Sequence, residues 1–247
     1  MIFRLDNVFL AYGRDVTIRE INLSFRENRI SCIIGPSGVG KSTLLRTLNR
    51  MNDIIAGFSL RGSVLFRGRD IYADGIRACD LRREVGMVFQ QPCIFPGSIY
   101  DNVLFGLRRL PGAKKTEFPR AAEEALKSVS LWGEVKDRLK HCAAGLSQGQ
   151  QQRLSIARAL AVGPKVLLVD EPTSSLDHRS AKAIEELVCD LARKITVIMV
   201  THKLDQARRI ADDVVFVCGG RICEAGNAEA VFRSPQDIET KCYVGLQ

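Results

Sequence analysis

Ile30-Ser31-Cys32-Ile33-Ile34 runs without a break into Gly35-Pro36-Ser37-Gly38-Val39-Gly40-Lys41-Ser42-Thr43, and then into Leu44-Leu45-Arg46-Thr47-Leu48. The first five residues are a short, mostly apolar run that reads as a buried strand. The last five have helical character. Between them lies G-x-x-x-x-G-K-[ST], and strand, loop and helix is the context this pattern requires. Its glycines let backbone N–H groups curl round phosphate oxygens with no side chain in the way. Lys41 supplies a point charge to the β and γ phosphates, and the Ser42 hydroxyl is suited to ligate Mg²⁺. A chance match in a chain this long is on the order of one per cent from average residue usage, which disfavours a mere flexible glycine turn. The stretch predicts an α/β fold of the phosphate-loop type, with a parallel-rich sheet.

Working outward, other apolar runs end in residues with chemistry. Val166-Leu167-Leu168-Val169 is followed by Asp170-Glu171. Asp170 is expected to hold the Mg²⁺ hydration shell, which frees Glu171 to polarise the attacking water as general base. Ile195-Thr196-Val197-Ile198-Met199-Val200 ends in Thr201-His202. A histidine past a strand end is usually a satisfied loop residue. Here it falls where a parallel sheet delivers its functional groups, within reach of a γ phosphate and the water on Glu171. Val85-Gly86-Met87-Val88-Phe89 ends in Gln90, whose neutral amide can touch Mg²⁺ or water.

A further segment, Leu146-Ser147-Gln148-Gly149-Gln150, opens a helix. Ser147 and Gln150 have the spacing of a capping box, a common and purely local device. The same helix start also offers unpaired N–H groups and a dipole that favour an anion. The chain thus carries two anion-binding helix starts, which can sandwich one phosphate only if they face each other, as they could from opposite chains of a dimer. Guanine specificity would need an Asn-Lys-x-Asp-like element. The nearest match, Lys203-Leu204-Asp205, is preceded by His202, so adenine is favoured. Tyr12 is the candidate to stack on the base, with an ordinary edge or turn aromatic as the alternative.

Bulk properties bound the class. The chain has 247 residues, 46% hydrophobic and 26% charged, which suits one large α/β domain or two small ones. Arg4 and Asp6 interrupt the start, so no signal peptide is expected. Val85 to Tyr100 is uncharged, but Gln90, Gln91, Pro92, Pro96 and Gly97 argue against a spanning helix. Eight cysteines form no CxxC pair, so reduced thiols are expected. The net charge of +8 suggests anionic partners, yet the basic residues are spread along the chain as on a solvated surface rather than a nucleic-acid stripe. Ala121 to Leu126 and Glu134 to Leu139 read as helical, and Val214 to Glu224 as a hairpin turning at Gly219-Gly220.

In order, Tyr12, the loop ending Lys41-Ser42, Gln90, Leu146–Gln150, Asp170-Glu171, Ser174-Ser175-Leu176-Asp177 and His202 resemble the Walker A, Q-loop, signature, Walker B, D-loop and H-loop series of ABC transporter ATP-binding subunits. The resemblance runs from about residue 2 to about residue 243. It implies a single cassette, with a nucleotide-binding core and antiparallel β subdomain from residues 1–90 and 163–247, and a helical subdomain over 91–162. It implies that Gly35, Pro36, Ser37, Gly38, Val39, Gly40, Lys41, Ser42 and Thr43 cradle ATP, and that Ser42, Gln90 and Asp170 serve Mg²⁺. It implies a head-to-tail dimer in which Ser147, Gln148, Gly149 and Gln150 meet the partner's ATP and Asp177 crosses the interface. The Gln90–Val103 segment and the helical subdomain would grip a membrane-spanning permease, at the cytoplasmic face of a bacterial inner membrane, with a solute-binding protein acting indirectly. Leu48-Asn49-Arg50-Met51-Asn52-Asp53, Asp70-Ile71-Tyr72, Phe95 to Val103 and Leu131 to Leu139 are similar to the phosphate-importing branch. Another oxyanion or small solute is the alternative cargo, and a soluble ATPase acting on nucleic acid the weaker alternative function. Three features depart from the pattern: Gln148 where the family usually has glycine, Ser175 for the usual alanine, and the Cys93-Ile94 and Gly245-Leu246-Gln247 segments.

Overall fold

The computed structural model describes residues 1–245; Leu246 and Gln247, the end of the atypical tail, lie outside the described residues. In chain order the elements begin β1 (Phe3–Tyr12), β2 (Asp15–Phe25), β3 (Ile30–Ile34), α1 (Lys41–Thr47), β4 (Phe58–Phe66), β5 (Arg69–Asp70), α2 (Ala78–Glu84) and β6 (Val85–Val88). Helices α3 (Ile99–Leu104), α4 (Phe118–Ser128), α5 (Trp132–Val135) and α6 (Gln148–Leu160) follow with no strand between them. The chain then returns to β7 (Val166–Asp170), α7 (His178–Ala192), β8 (Thr196–Val200), α8 (Leu204–Ile210), β9 (Asp213–Cys218), β10 (Arg221–Asn227), α9 (Ala228–Arg233) and α10 (Ile238–Val244).

Two sheets result. One is antiparallel, in the order β2-β1-β4-β5; the other runs β10-β9-β3-β8-β7-β6 and is parallel apart from the β9–β10 hairpin. Strands β3, β7 and β8 are buried at every position, as both-face-covered parallel strands must be. The period-two alternation of side chains divides them between two cores. Ile33, Leu168 and Ile198 pack with Leu44, Leu45 and the inner face of the antiparallel sheet. Cys32, Ile34, Leu167, Val169 and Met199 pack on the other face with Leu187, Val188, Leu154 and Leu126 from the helices. Truncating one such leucine to alanine would cost about 2–5 kcal/mol, since a close-packed core cannot collapse into the gap.

Elements differ from the sequence reading where long-range bonds intervene. The segment from Glu134 to Leu139 is not one helix: a single turn, Trp132–Val135, gives way to a 3₁₀ turn, Lys136–Arg138. The carbonyls beyond it are taken by the start of α3, where Tyr100 N–H donates to Leu139 O and Ile99 N–H to His141 O, each at 3.0 Å. Those amides have no partner within their own helix, so the neighbouring chain supplies one. Strand β8 begins at Thr196 because Ile195 N–H still bonds Leu191 O at the end of α7. Among the described residues, no helix is long and apolar enough to cross a membrane.

Candidate functional site

The registers of the parallel strands bring the chemistry to one edge. Val88 pairs with Val169, Asp170 with Val200, and Val200 with Ile33. Gln90, Glu171, His202 and the Gly35 loop therefore leave four neighbouring strands at nearly the same level, at their carboxyl ends.

The loop after β3 has the backbone its glycines permit. Gly35 sits at φ 147°, and a Cβ there would lie 2.1 Å from the Val217 carbonyl oxygen. Gly40, at φ 98°, starts α1 with no side-chain cap, which leaves that end's N–H groups free for an anion. Lys41 is 6% exposed and folds its ammonium into the loop, donating to Gly35 O at 2.9 Å and Pro36 O at 2.7 Å. Burial pushes its pKa down, while the nearby Glu171 and Asp170 carboxylates push it back up.

Asp170, 3% exposed at the tip of β7, accepts a hydrogen bond from the Ser42 hydroxyl at 2.8 Å and another from Arg46 Nη2 at 3.1 Å. Glu171 follows with φ 44°, a left-handed conformation that costs a β-carbon residue about 1–2 kcal/mol. Its N–H donates to Val200 O, and its Oε2 lies 2.9 Å from His202 Nδ1. With Glu171 ionised, that nitrogen carries the proton and donates it. The two neighbouring strand ends thus hand each other a base and a histidine. Gln90 lies in the exposed bend after β6. Tyr12, at the end of β1, meets Phe58 with ring centroids 5.6 Å apart and donates its hydroxyl to Asn52 Oδ1 at 3.1 Å.

The capping box at the start of α6 is formed in both directions: Gln150 N–H donates to Ser147 Oγ, and Ser147 N–H to Gln150 Oε1. Glu134 in α5 braces it, accepting from Gln150 Nε2 and Arg153 Nη1, each at 2.7 Å. The Arg153 bond, with a smaller part from Gln150, holds the Glu134 carboxyl below the usual range. Ser147, Gly149 and Gln150 line a shallow hollow with Arg179 and Ser180 of α7. No hydrogen bond among the described residues joins Ser147–Gln150 to Gly35–Thr43, and no residue of that loop lines the hollow at the α6 start. Gln148 is the first residue of α6 and leaves the box intact. Asp177 caps α7 by accepting from Arg179 and Ser180 N–H, both at 3.0 Å.

Several residues around the site escaped the sequence reading. Arg46 pairs with Asp170, Asn52 holds Tyr12, and Gln206 is buried between Thr201 and Thr173, behind His202 and Glu171. Only Arg46 had a local signal, its spacing of four from Ser42 on one helix face.

A model of the family described as ABC transporter matches residues 18–174. Over 241 residues the chain is 48% identical to a phosphate import ATP-binding protein of Vibrio vulnificus, covering 97% of this chain and 88% of the relative. It is 45% identical over 244 residues to one of Lactococcus lactis, covering 98% and 96%. Among solved structures it is similar to cbiO1 of Clostridium perfringens, part of the ABC transporter complex cbiONQ, with a TM-score of 0.82, 30% identity, and coverage of 94% and 91% of the two chains. Four parallel strand ends that gather a phosphate loop, an Asp-Glu pair and a histidine, together with likeness along nearly the whole length, make this chain a member of the ABC transporter family of ATP-binding proteins.

Proposed function

We propose that the chain is the ATP-hydrolysing motor of an importer of inorganic phosphate. The hydrolytic part rests on one observation above the others: the Glu171 carboxylate, held by His202, stands beside the Ser42–Asp170 pair at the edge where the phosphate loop opens. The cargo rests on the relatives, which are phosphate import ATP-binding proteins of two different organisms.

Gly35 to Thr43 would cradle the triphosphate, with Tyr12 stacked on adenine. Glu171 would take a proton from water as the water oxygen attacks the γ phosphorus and ADP leaves. His202, through its other ring nitrogen, would meet the γ phosphate. The Ser42 hydroxyl and Asp170 carboxylate are hard oxygen donors only 2.8 Å apart, a set that fits Mg²⁺, and Gln90 would complete it. When bound, that ion would offset phosphate charge.

Because the hollow at the Ser147–Gln150 helix start is lined by none of the chain's own phosphate-loop residues, that helix start would serve the ATP of a second copy, and Asp177 would lie across that interface. Residues 91–162 would act as the helical subdomain that docks on a permease, with residues 1–90 and 163–247 as the core. The chain would work as a peripheral subunit on the cytoplasmic face of the membrane, supplied by a solute-binding protein beyond it.

Glu171→Gln tests the chemistry. It should bind ATP, lose turnover by about 10²–10⁴-fold, and accumulate as a dimer; unchanged turnover would remove Glu171 as the base. Phosphate uptake in cells deleted for this chain tests the cargo. Normal uptake under phosphate limitation would discard phosphate and leave the motor standing.

A further inference from the structure

Asn52 sits in the 3₁₀ turn Met51–Ile54, just past α1, and is fully buried. A buried amide is costly unless each polar atom is paired. Here the pairs run to two different elements. Nδ2 donates to the Thr43 carbonyl at 2.8 Å and to Thr47 Oγ1 at 2.9 Å, both on the phosphate-loop helix α1. Oδ1 accepts the Tyr12 hydroxyl at 3.1 Å. The orientation of the amide is determined by its partners. The Thr43 carbonyl can only accept, so Nδ2 must face it and the oxygen must face Tyr12. Thr47 Oγ1 spends its own proton on the same Thr43 carbonyl at 2.8 Å, so it too is an acceptor toward Asn52.

Thr43 closes the phosphate loop, and Tyr12 ends a strand of the other sheet. Phe58, opposite Tyr12 in register and in ring contact, supports one side of that ring. The hydroxyl tether restrains its far end. We propose that Asn52 is a positioning residue for ATP: it holds the Tyr12 ring at a set distance from the first turn of α1, so that the base platform and the phosphate cradle are spaced for one nucleotide before it arrives. The inference rests on Tyr12 being the adenine platform. A ring already ordered does not lose its rotamer freedom on binding, and without the tether that loss falls on the affinity.

Equilibrium binding of ATP and of inorganic tripolyphosphate, each with Mg²⁺, tests it in the full chain. Tyr12→Phe keeps the ring and removes only the tether. It should weaken ATP by roughly two- to tenfold, the cost of ordering one side chain, and leave tripolyphosphate within about twofold. Asn52→Ala, which also gives up the two bonds to α1, should weaken ATP at least as much, and adding Tyr12→Phe to it should cost nothing further, because the bond that Tyr12→Phe removes is already gone. If Asn52→Ala fails to fold, Tyr12→Phe and Tyr12→Ala carry the test. ATP affinity unchanged in Tyr12→Phe but lowered in Tyr12→Ala would overturn the role of Asn52 and keep the platform. Unchanged affinity in Tyr12→Ala would overturn the platform reading and this inference with it. Equal loss of tripolyphosphate in Tyr12→Phe would place the effect in the loop and overturn the tether.

Discussion

Gly149, in the Ser147–Gln150 segment, has no room for a single added methyl group. A Cβ at this position would lie 2.7 Å from Ser180 Oγ and 3.0 Å from Ser180 Cβ on α7. Comfortable contact between such atoms is about 3.5 Å or more. The hydroxyl can rotate away, but the Ser180 Cβ moves only with its helix, so α6 and α7 must part by about half an ångström. Overpacking of this kind costs about 1–3 kcal/mol. Gly→Ala inside a helix returns up to about 1 kcal/mol, and less near the end. Gly149→Ala is therefore expected to lose about 1–2 kcal/mol, which lowers the Tm by about 2–8 °C for a chain of this size. Turnover should fall with it, because the shift moves the helix start assigned to the partner's ATP. Thermal unfolding followed by circular dichroism reads the first effect and phosphate release the second. Ser180→Gly in the same chain removes both clashing atoms, so the double variant should recover at least about 1 kcal/mol relative to the sum of the singles. A Gly149→Ala protein as stable as the parent, or strict additivity with Ser180→Gly, would refute the steric argument.

Among the described residues, Arg46→Met leaves the buried Asp170 carboxylate with Ser42 as its only remaining side-chain hydrogen-bond donor; a loss of about 1–2 kcal/mol is expected by denaturant titration, at the lower end for a charge-assisted bond because Arg46 is over a third exposed. Glu134 is held below the usual carboxyl range by Arg153 and then Gln150, so its contribution is present above the unfolded value of about 4.3 and is lost as pH falls through the folded one. Parent protein should consequently lose more stability than Glu134→Gln between about pH 4.5 and 3; parallel curves would count against that brace. A thiol reagent should label Cys79, Cys93, Cys142 and Cys242 in the folded protein, and Cys32 only after unfolding, since burial pushes the Cys32 thiol up and shields it. Peptide mass mapping checks which cysteines react.

Much of the fold was legible because its signals are local. Ile30–Ile34 and Val166–Asp170 are short apolar runs with turn residues after them, and the structure has strands over those residues. The Ser147–Gln150 box is likewise a bond pattern within four residues, and it forms. The break in Glu134–Leu139 was not legible, since the start of α3, far away in sequence, takes the carbonyls of Leu139 and His141. Nor was Asn52: an asparagine after a helix reads as an end signal, and only the approach of β1 turns its amide into a tether.

The sequence by itself determined the phosphate loop, the acidic and histidine strand ends and the cap of α6, because each needs only neighbouring residues and one kind of backbone. The tertiary structure alone decided that β3, β8, β7 and β6 lie side by side, so that Lys41, Asp170, Glu171 and His202 share an edge. It also decided that the α6 helix start faces Ser180 rather than the chain's own loop. Strand order and helix facing follow from which apolar faces bury one another, and that is a property of the whole chain, not of any stretch within it.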